Sequence, residues 1–144
     1  MELKAIGYVK NEFEQPLRQD WGKVISDIVM DHGLTEALDG ITDFSHIIVV
    51  YWLHKAAGNG EPRYRVHPRG NKEVPEVGLF ATRSPHRPNA IGIATVELIA
   101  HRDNVLKVRG LDAVSGTPVL DIKPYIAAYD SPANTRVASW TTGQ

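Results

Sequence analysis

The spacing of glycine and proline restricts this chain to short structural elements. Its 144 residues contain 12 Gly and 9 Pro, which divide the sequence into short apolar runs. Helical periodicity is weak in all of them, and several are rich in Ile, Val and Tyr, which favour strands. Short strands separated by turn residues are typical of a β-barrel or a β-sandwich. The length corresponds to one domain over 1–144, with a core at about 4–130 and a polar tail at 131–144.

A β-hairpin is the clearest element that the pattern predicts. Residues 91–100 and 105–108 have strand-like composition, and Asp103-Asn104 between them is a turn signal. Strands are also expected at 4–13, 45–53 and 118–122, while 24–30 fits a strand or a short helix. Residues 34–38 suffice for one or two helical turns, and the polar stretch 57–75 is expected to be a long loop.

The predicted strand at 91–99 carries apolar residues on both faces, among them Ile91, Ile93, Val96 and Ile99. A surface strand of a monomer would alternate more strictly between apolar and polar residues. We therefore expect a helix, a loop or a second subunit to cover its outer face.

Composition excludes several kinds of site. Because the chain has no cysteine, it has no disulfide scaffold, no Cys-ligated zinc and no catalytic thiol. It lacks the glycine fingerprint of dinucleotide-binding folds, the P-loop and the nucleophile elbow of α/β-hydrolases. Its six histidines form no close ligand pair, so no metal is expected. With no signal-peptide pattern and no apolar run long enough to span a bilayer, we expect a cytoplasmic protein without a membrane association.

The charge is unevenly distributed, although the net charge is -1. That balance excludes a strongly basic nucleic-acid-binding protein but not a local basic patch. Between residues 61 and 87, cations outnumber anions and give a local excess of +3. Arg63, Arg65 and Arg69 are the candidates for contact with nucleic-acid phosphate. A charged loop that is merely well solvated explains the excess equally well.

The segment 83–89, Arg-Ser-Pro-His-Arg-Pro-Asn, has the chemistry of an anion site. Its prolines exclude a helix interior and a central strand, and they stiffen a loop. Arg83 and Arg87 offer planar donors for a carboxylate or a phosphate. Ser84, His86 and Asn89 add further hydrogen-bonding groups. The alternative is a rigid turn whose arginines pair with acidic neighbours.

The segment 116–125 brings three polar side chains into line. If it is a strand, Asp121, Lys123 and Tyr125 point to one face together with Val119, because side chains alternate along a strand. One face then carries an acid, a base and a phenol in a row. The alternative is a solvent-facing strand with a simple ion pair.

These two segments together resemble one known family. They are 78–92 (Gly-Leu-Phe-Ala-Thr-Arg-Ser-Pro-His-Arg-Pro-Asn-Ala-Ile-Gly) and 116–125 (Gly-Thr-Pro-Val-Leu-Asp-Ile-Lys-Pro-Tyr). Their order and spacing, the intervening hairpin, the opening Ile6-Gly7-Tyr8-Val9 and the stretch 39–46 resemble the TrmO family, also called TsaA-like or YaeB-like. The resemblance covers roughly residues 6–125, and two long motifs in register are far more specific than one short pattern.

The resemblance implies a compact, single-domain, mainly antiparallel all-β barrel with short helices and a long loop. It implies an S-adenosylmethionine-dependent methyltransferase acting on N6 of threonylcarbamoyladenosine next to the tRNA anticodon. It also implies a homodimer with the cofactor near the subunit interface. The chain resembles the short form of the family, without the C-terminal extension that helps the long bacterial form to hold tRNA. Ser115 stands where the family commonly has Asp.

We assign individual roles as hypotheses for the activity that the resemblance implies. Asp121, Lys123 and Tyr125 are expected to be catalytic, with Asp121 as the first candidate for the base or orienting group. Arg63, Arg65 and Arg69 are expected to bind tRNA. The residues expected to bind the cofactor are Arg83, Ser84, Pro85, His86, Arg87, Asn89, Leu111 and Thr117.

Two other functions stay open from the sequence. The barrel could methylate a different RNA or a small molecule. It could also be a non-enzymatic RNA-binding module that uses the cationic segment and aromatic stacking.

Overall fold

The computed structural model describes residues 1–16, 19–58, 60–61 and 63–141, which form two compact units. The barrel unit comprises Met1–His54 and Ile91–Tyr125. The arginine-rich unit comprises Lys55–Ala90 and the chain from Ile126 onward. One domain over 1–144 stays a prediction, and residues 142–144 of the predicted polar tail lie outside the described residues.

Antiparallel strands dominate the fold. In the described residues they are β1 (Gly7–Lys10), β2 (Ile25–Met30), β3 (His46–Trp52), β4 (Arg65–Val66), β5 (Val77–Gly78), β6 (Ile91–Arg102), β7 (Val105–Arg109) and β8 (Pro118–Pro124). Six of them close a barrel in the order β1-β2-β7-β6-β3-β8, with β8 pairing back to β1, whereas β4 and β5 pair only with each other. This arrangement confirms the prediction of an all-β barrel.

The helical elements are short. They are α1 (Ala127–Asp130) and the 3-10 turns Trp21–Lys23, His32–Leu38, Ile41–Asp43, Pro68–Gly70, Leu79–Ala81 and Ser139–Thr141. Across the described ranges, no helix is both long enough and apolar enough to cross a bilayer.

Alternating apolar side chains fill the barrel. In β3, Ile47, Val49 and Tyr51 are buried, and Ile47 faces the buried Val96 across the ladder with β6. β-branched residues suit these strands because they pack well on a pleated surface. Since each fully buried Val, Ile or Leu contributes roughly 1.5–3 kcal/mol of transfer free energy, this core is the main source of stability in the barrel unit.

The close packing of Tyr51 requires glycine at position 92. The two residues are paired across β3 and β6, and a Cβ atom at 92 would lie only 2.7 Å from Tyr51 Cε2. The Tyr51 hydroxyl donates a hydrogen bond to the Asp112 carbonyl oxygen at 3.1 Å. Gly92 therefore gives room to a buried ring that also holds the loop between β7 and β8.

A β-bulge in β8 changes which face its side chains occupy. Val50 pairs with Asp121, but the next residue, Tyr51, pairs with Val119. Leu120 is thus an extra residue, which shifts the alternation by one position. Val119 is buried in the core, and Ile122 packs against that core. The prediction that Val119 shares the face of Asp121 is therefore wrong.

The outer face of β6 is partly exposed. Ile93 is 52% exposed and lies opposite Val50 in the ladder with β3. Ile99, which lies at a second bulge, is 38% exposed. A covering subunit is consistent with these exposures and stays a prediction.

The structure confirms the predicted hairpin, which is formed by β6 and β7. Asp103 in its turn has a φ of 54°, and Asn104 donates a buried hydrogen bond to the Met30 carbonyl oxygen at 2.6 Å. The predicted long loop at 57–75 contains, in its described part, the two-residue strand β4 and the turn Pro68–Gly70. A ladder of two residues, Arg65–Val66 against Val77–Gly78, is too short to produce a periodic pattern.

Candidate functional site

Hydrogen bonds to the segment that follows β1 hold the loop between β7 and β8. Asn11 Nδ2 donates to the Ala113 carbonyl oxygen at 2.9 Å, and the Ser115 amide donates to the Phe13 carbonyl oxygen at 2.6 Å. Leu111 and Thr117, both predicted to bind the cofactor, have buried side chains, and the Thr117 hydroxyl donates to the Val114 carbonyl oxygen at 2.7 Å. Both residues are buried as a whole, backbone included, so the structure offers a ligand almost no accessible surface at either position.

Asp112 is a carboxylate in this loop that the sequence did not single out. Burial raises the pKa of Asp112 because its surroundings disfavour the charged form, although part of the residue faces solvent. Its carbonyl oxygen, as described above, accepts the hydrogen bond from Tyr51. The loop thus contributes an acidic group of raised pKa to the barrel unit.

Asp121 and Lys123 form an ion pair on the outer face of β8. Asp121 Oδ2 lies 2.8 Å from Lys123 Nζ, and the side chains are 47% and 64% exposed, respectively. The hydrogen bond and the charge of Asp121 raise the pKa of Lys123. The pair is open to solvent, so a large substrate can reach the carboxylate.

Tyr125 lies two residues after Lys123, and its ring contacts a histidine of β3. The Tyr125 amide donates to the His46 carbonyl oxygen at 3.1 Å, and the two rings form an edge contact with their centroids 6.4 Å apart. His46 Nδ1 lies 2.7 Å from Ser45 Oγ. Sequence reasoning did not connect His46 with Tyr125, because only the pairing of β3 with β8 brings them together.

A cavity of about 660 Å³ lies in the arginine-rich unit. We call it the cationic cavity, because the ionisable groups in its lining are Arg69, Arg83 and His67. Aromatic side chains and hydroxyls complete much of its wall. The lining residues are Val66, His67, Pro68, Arg69, Gly70, Phe80, Ala81, Thr82, Arg83, Ser84, Pro85, Trp140 and Thr141.

The structure divides the segment 83–89 into two parts. Arg83, Ser84 and Pro85 line the cationic cavity, whereas His86, Arg87 and Asn89 are not part of its lining. A ligand in this cavity would therefore contact the first part of the segment and not the second.

The Arg87 side chain stabilises the loop to which it belongs. One guanidinium nitrogen, Nη1, donates to the Thr82 carbonyl oxygen at 2.9 Å and to the Ser84 carbonyl oxygen at 3.1 Å. The guanidinium carbon also lies 5.6 Å from the centre of the Phe80 ring, within the range of a cation–π contact. The contacts hold the loop in one shape before any ligand arrives.

The predicted RNA-binding arginines are not equivalent. Arg69 lines the cationic cavity and has a φ of 57°, whereas Arg65 donates to the Glu76 carbonyl oxygen at 3.3 Å. Arg63 is exposed and does not line the cavity. Arg69, predicted to bind RNA, and Arg83, predicted to bind the cofactor, therefore line the same cavity.

The part of the chain that the structure describes contains no cluster of three or more His, Asp or Glu side chains that could hold a metal ion. The candidate groups are two arginines and two aromatic side chains that line the cavity of one unit, and Asp121, Lys123 and Tyr125 in the other unit. Such groups bind anions and flat rings and can accept a proton.

The fold and these sites define a class of protein: one with a closed antiparallel barrel that carries an exposed Asp–Lys pair and with a separate unit that contains an arginine-lined cavity. The family model "tRNA-methyltransferase O N-terminal domain" matches residues 8–131. The chain belongs to this family, which confirms the resemblance seen in the sequence.

Relatives and solved structures agree with this assignment. The chain is 40% identical over 135 residues to a "Probable S-adenosyl-L-methionine-binding protein" of Methanothermobacter thermautotrophicus, covering 91% of this chain and 94% of that protein. It is 45% identical over 104 residues to a mouse "tRNA (adenine(37)-N6)-methyltransferase", covering 70% of this chain and 23% of the mouse protein. The crystal structure of TrmO from Pseudomonas aeruginosa superposes with a TM-score of 0.76 at 31% identity, covering 94% of this chain and 60% of that one.

The length of the match differs among relatives. The chain spans nearly the whole Methanothermobacter protein but 37% of a probable S-adenosyl-L-methionine-binding protein from Archaeoglobus fulgidus. It therefore corresponds to one part of the longer relatives.

Proposed function

We propose that the protein transfers a methyl group from S-adenosylmethionine to N6 of an adenine in tRNA. The observation that carries the proposal is the match of residues 8–131 to the tRNA-methyltransferase O N-terminal domain. The names of the relatives support it, since they include S-adenosyl-L-methionine-binding proteins and a tRNA (adenine(37)-N6)-methyltransferase. The local basic excess is in keeping with a polyanionic substrate.

The acceptor that we propose is the N6 atom of threonylcarbamoyladenosine next to the anticodon. This nitrogen belongs to a urea-like group and is a poor nucleophile until it loses its proton. S-adenosylmethionine, when bound, supplies an electrophilic methyl group on a sulfonium. The acceptor nitrogen would form its new bond to the methyl carbon while the bond from that carbon to sulfur breaks, and the electron pair of the broken bond would stay on sulfur, so that S-adenosylhomocysteine leaves as a neutral thioether. The nitrogen would release its proton to a base within hydrogen-bond reach.

Asp121 is the base or orienting group in this proposal. Its carboxylate is exposed and is held by Lys123 at 2.8 Å, so its position is defined before substrate binds. Tyr125 adjoins the pair, and its ring meets His46. Lys123 serves to hold the carboxylate and Tyr125 to contact the acceptor.

The cationic cavity does not match all the charge of S-adenosylmethionine. Its arginines suit the carboxylate of that molecule, and its aromatic side chains suit the adenine. The ammonium and the sulfonium, however, would lie beside two guanidiniums with no acidic residue in the lining. The predicted cofactor residues outside this cavity are His86, Arg87, Asn89, Leu111 and Thr117.

The test is mass spectrometry of tRNA nucleosides after incubation with the protein and isotope-labelled S-adenosylmethionine. We expect label in the threonylcarbamoyladenosine nucleoside and none in tRNA that lacks the threonylcarbamoyl group. Equal labelling of both tRNAs would point to a different acceptor. Absence of label in both, under conditions where the cofactor binds, would reject methylation of tRNA.

Asp121→Asn tests the chemical step. We expect it to remove methylation while leaving cofactor binding, measured by calorimetry, unchanged. Asp27→Asn is the matched control, because Asp27 forms a similar ion pair with Lys107 at 3.5 Å on other strands of the barrel. Methylation at the wild-type rate by Asp121→Asn would exclude Asp121 from the chemistry.

We also propose that a second copy of the chain covers the outer face of β6. The half-exposed Ile93 beside Val50 supports a homodimer, since exposed apolar strand faces commonly mark interfaces. Light scattering should give a dimer for the wild type and a monomer for Ile93→Lys. Ile25→Lys, at a similarly exposed isoleucine of β2, is the control and should leave the dimer intact.

A further inference from the structure

The positive groups of S-adenosylmethionine lack an acidic partner in the cationic cavity. Arg69 and Arg83 suit its carboxylate, but the described residues of the lining include no aspartate or glutamate. The ammonium group can still donate hydrogen bonds to hydroxyl or carbonyl oxygens. The sulfonium has no hydrogen on its sulfur to donate, so it needs another kind of attraction. The π face of an aromatic ring supplies one, as it does where proteins recognise quaternary ammonium groups.

Phe80 and Trp140 both line the cavity, but their surroundings differ. Phe80 is 78% exposed, and the centre of its ring lies 5.6 Å from the Arg87 guanidinium carbon. A ring beside a guanidinium is a poor partner for a second cation, because the two positive charges repel each other. Trp140 is partly buried, and indole is the aromatic side chain that attracts cations most strongly. Trp140 is therefore the better candidate for contact with a sulfonium.

The C-terminal segment holds Trp140 at the cavity. Residues 131–139 are exposed, whereas Trp140 and Thr141 are partly buried and line the cavity together. A turn fixes this part of the chain, since the amide and the hydroxyl of Thr141 donate to the Ala138 carbonyl oxygen at 3.0 and 2.6 Å. Both lining residues lie beyond the region 8–131 that the family model matches. The cavity wall therefore includes a tryptophan that neither sequence motif contains.

We propose that Trp140 recognises the sulfonium of S-adenosylmethionine in the cationic cavity and thereby makes the cavity prefer the cofactor to its product, S-adenosylhomocysteine. The two molecules share their adenosine, ammonium and carboxylate groups, but the sulfur of the product is a neutral thioether. The attraction to the indole is therefore lost once the methyl group has left, which favours release of the product. The inference rests on the proposed function in taking S-adenosylmethionine as the cofactor, bound at Arg83, Ser84 and Pro85 as the resemblance implies.

The experiment measures the binding of S-adenosylmethionine and of S-adenosylhomocysteine to the full chain by calorimetry. The variants are Trp140→Leu, which keeps an apolar side chain but removes the π face, and Trp140→Phe, which keeps a smaller ring. Tyr129→Leu is the matched control, because Tyr129 is an exposed aromatic residue of the same unit and is not part of the cavity lining. Retained binding of S-adenosylhomocysteine also shows that a variant still forms the cavity.

We expect Trp140→Leu to weaken the binding of S-adenosylmethionine about tenfold, which is within the range of a cation–π contact shielded from water. The affinity for S-adenosylhomocysteine should change much less, because leucine keeps the apolar contact. For S-adenosylmethionine, the affinity of Trp140→Phe should lie between those of the wild type and the leucine variant. Tyr129→Leu should bind both ligands as the wild type does.

Three results would overturn the proposal while leaving the proposed function intact. Equal loss of affinity for both ligands in Trp140→Leu would mean that the indole contacts a part that they share, such as the adenine. Unchanged affinity for both ligands would remove Trp140 from ligand binding. A loss in Trp140→Phe as large as that in Trp140→Leu would show that the π face does not matter. If the wild type bound neither ligand, the proposed function itself would be rejected and, with it, this inference.

Discussion

The two units of this protein distribute apolar and charged residues in opposite ways. In the barrel unit, side chains such as Ile28, Ile47 and Leu106 are completely buried, and the strands are joined in a closed ladder. In the arginine-rich unit, by contrast, a two-residue ladder and several turns carry exposed aromatic rings and cations. The first pattern is that of a stability-determining core, and the second is that of a binding surface.

The two units also differ in the interactions that make them rigid. The barrel derives its rigidity from packing, which is distributed over many residues. The loop 82–87 derives it from a few hydrogen bonds by a single arginine and from proline. We therefore expect single substitutions to act on global stability in the barrel unit and on local order or ligand binding in the arginine-rich unit.

The largest contrast should come from removing one large apolar side chain in each unit. Leu106→Ala should lower the free energy of unfolding by about 2–5 kcal/mol, because it leaves a cavity in a closed core. Phe80→Ala should lower it by less than about 1 kcal/mol, since the ring is mostly exposed and loses mainly its contact with Arg87. Urea denaturation of both variants measures the difference, and similar losses would contradict the proposed division between the units.

Two glycines give a second contrast of smaller size. Gly92→Ala should destabilise the protein by about 1–3 kcal/mol, since its Cβ would overlap the Tyr51 ring and overpack the core. Gly78→Ala is the matched control, because a Cβ added there would meet nothing within 4 Å and the φ of -61° is allowed for alanine. Thermal unfolding should therefore show a clear loss for the first variant and little change for the second. Equal melting temperatures would mean that the Tyr51 ring can move aside without cost.

The fold was largely predictable because its signals are local. The hairpin of β6 and β7 is visible from two apolar runs and a turn, and the buried strand β3 from its β-branched residues. The sequence did not predict that Val119 faces the barrel core. The bulge that turns it inward depends on the register between β8 and β3, and the residues of β8 alone do not indicate it. Asp121 and Lys123 both follow the bulge and lie 2.8 Å apart, so the prediction that these two side chains share one face agrees with the structure.

The candidate sites were predictable only as segments. The chemistry of the residues indicated the segments 83–89 and 121–125. It did not indicate that Arg87 stabilises its loop, because that role depends on backbone carbonyl groups of the folded loop. The contact of His46 with Tyr125 and the part played by Trp140 in the cavity arise from residues far apart in the chain. Such non-local neighbours follow from the folded topology, and no pattern of spacing within one segment predicts them.

Arg87→Lys should loosen the loop with a modest effect on global stability. Lysine keeps the positive charge but cannot reproduce the fixed donor geometry of a guanidinium. Loss of the hydrogen bonds to Thr82 and Ser84 should cost about 1 kcal/mol and appear mainly as faster hydrogen exchange in residues 82–87. Arg83→Lys, which leaves those bonds in place, is the control. Unchanged exchange in the Arg87 variant would show that the prolines alone hold the loop.

The smallest effect should come from Asp112→Asn, and its pH dependence identifies its cause. Because burial raises the pKa of Asp112 in the folded state, the wild type loses stability as the pH rises and this carboxyl becomes charged. Asparagine stays neutral, so the variant should match the wild type in stability near pH 3 and be slightly more stable than the wild type near pH 7, because solvent screening keeps the effect small. Urea denaturation across this range measures the difference. If the variant were instead less stable than the wild type near pH 7 and equal to it near pH 3, the folded state would stabilise the charged carboxylate and not the neutral acid.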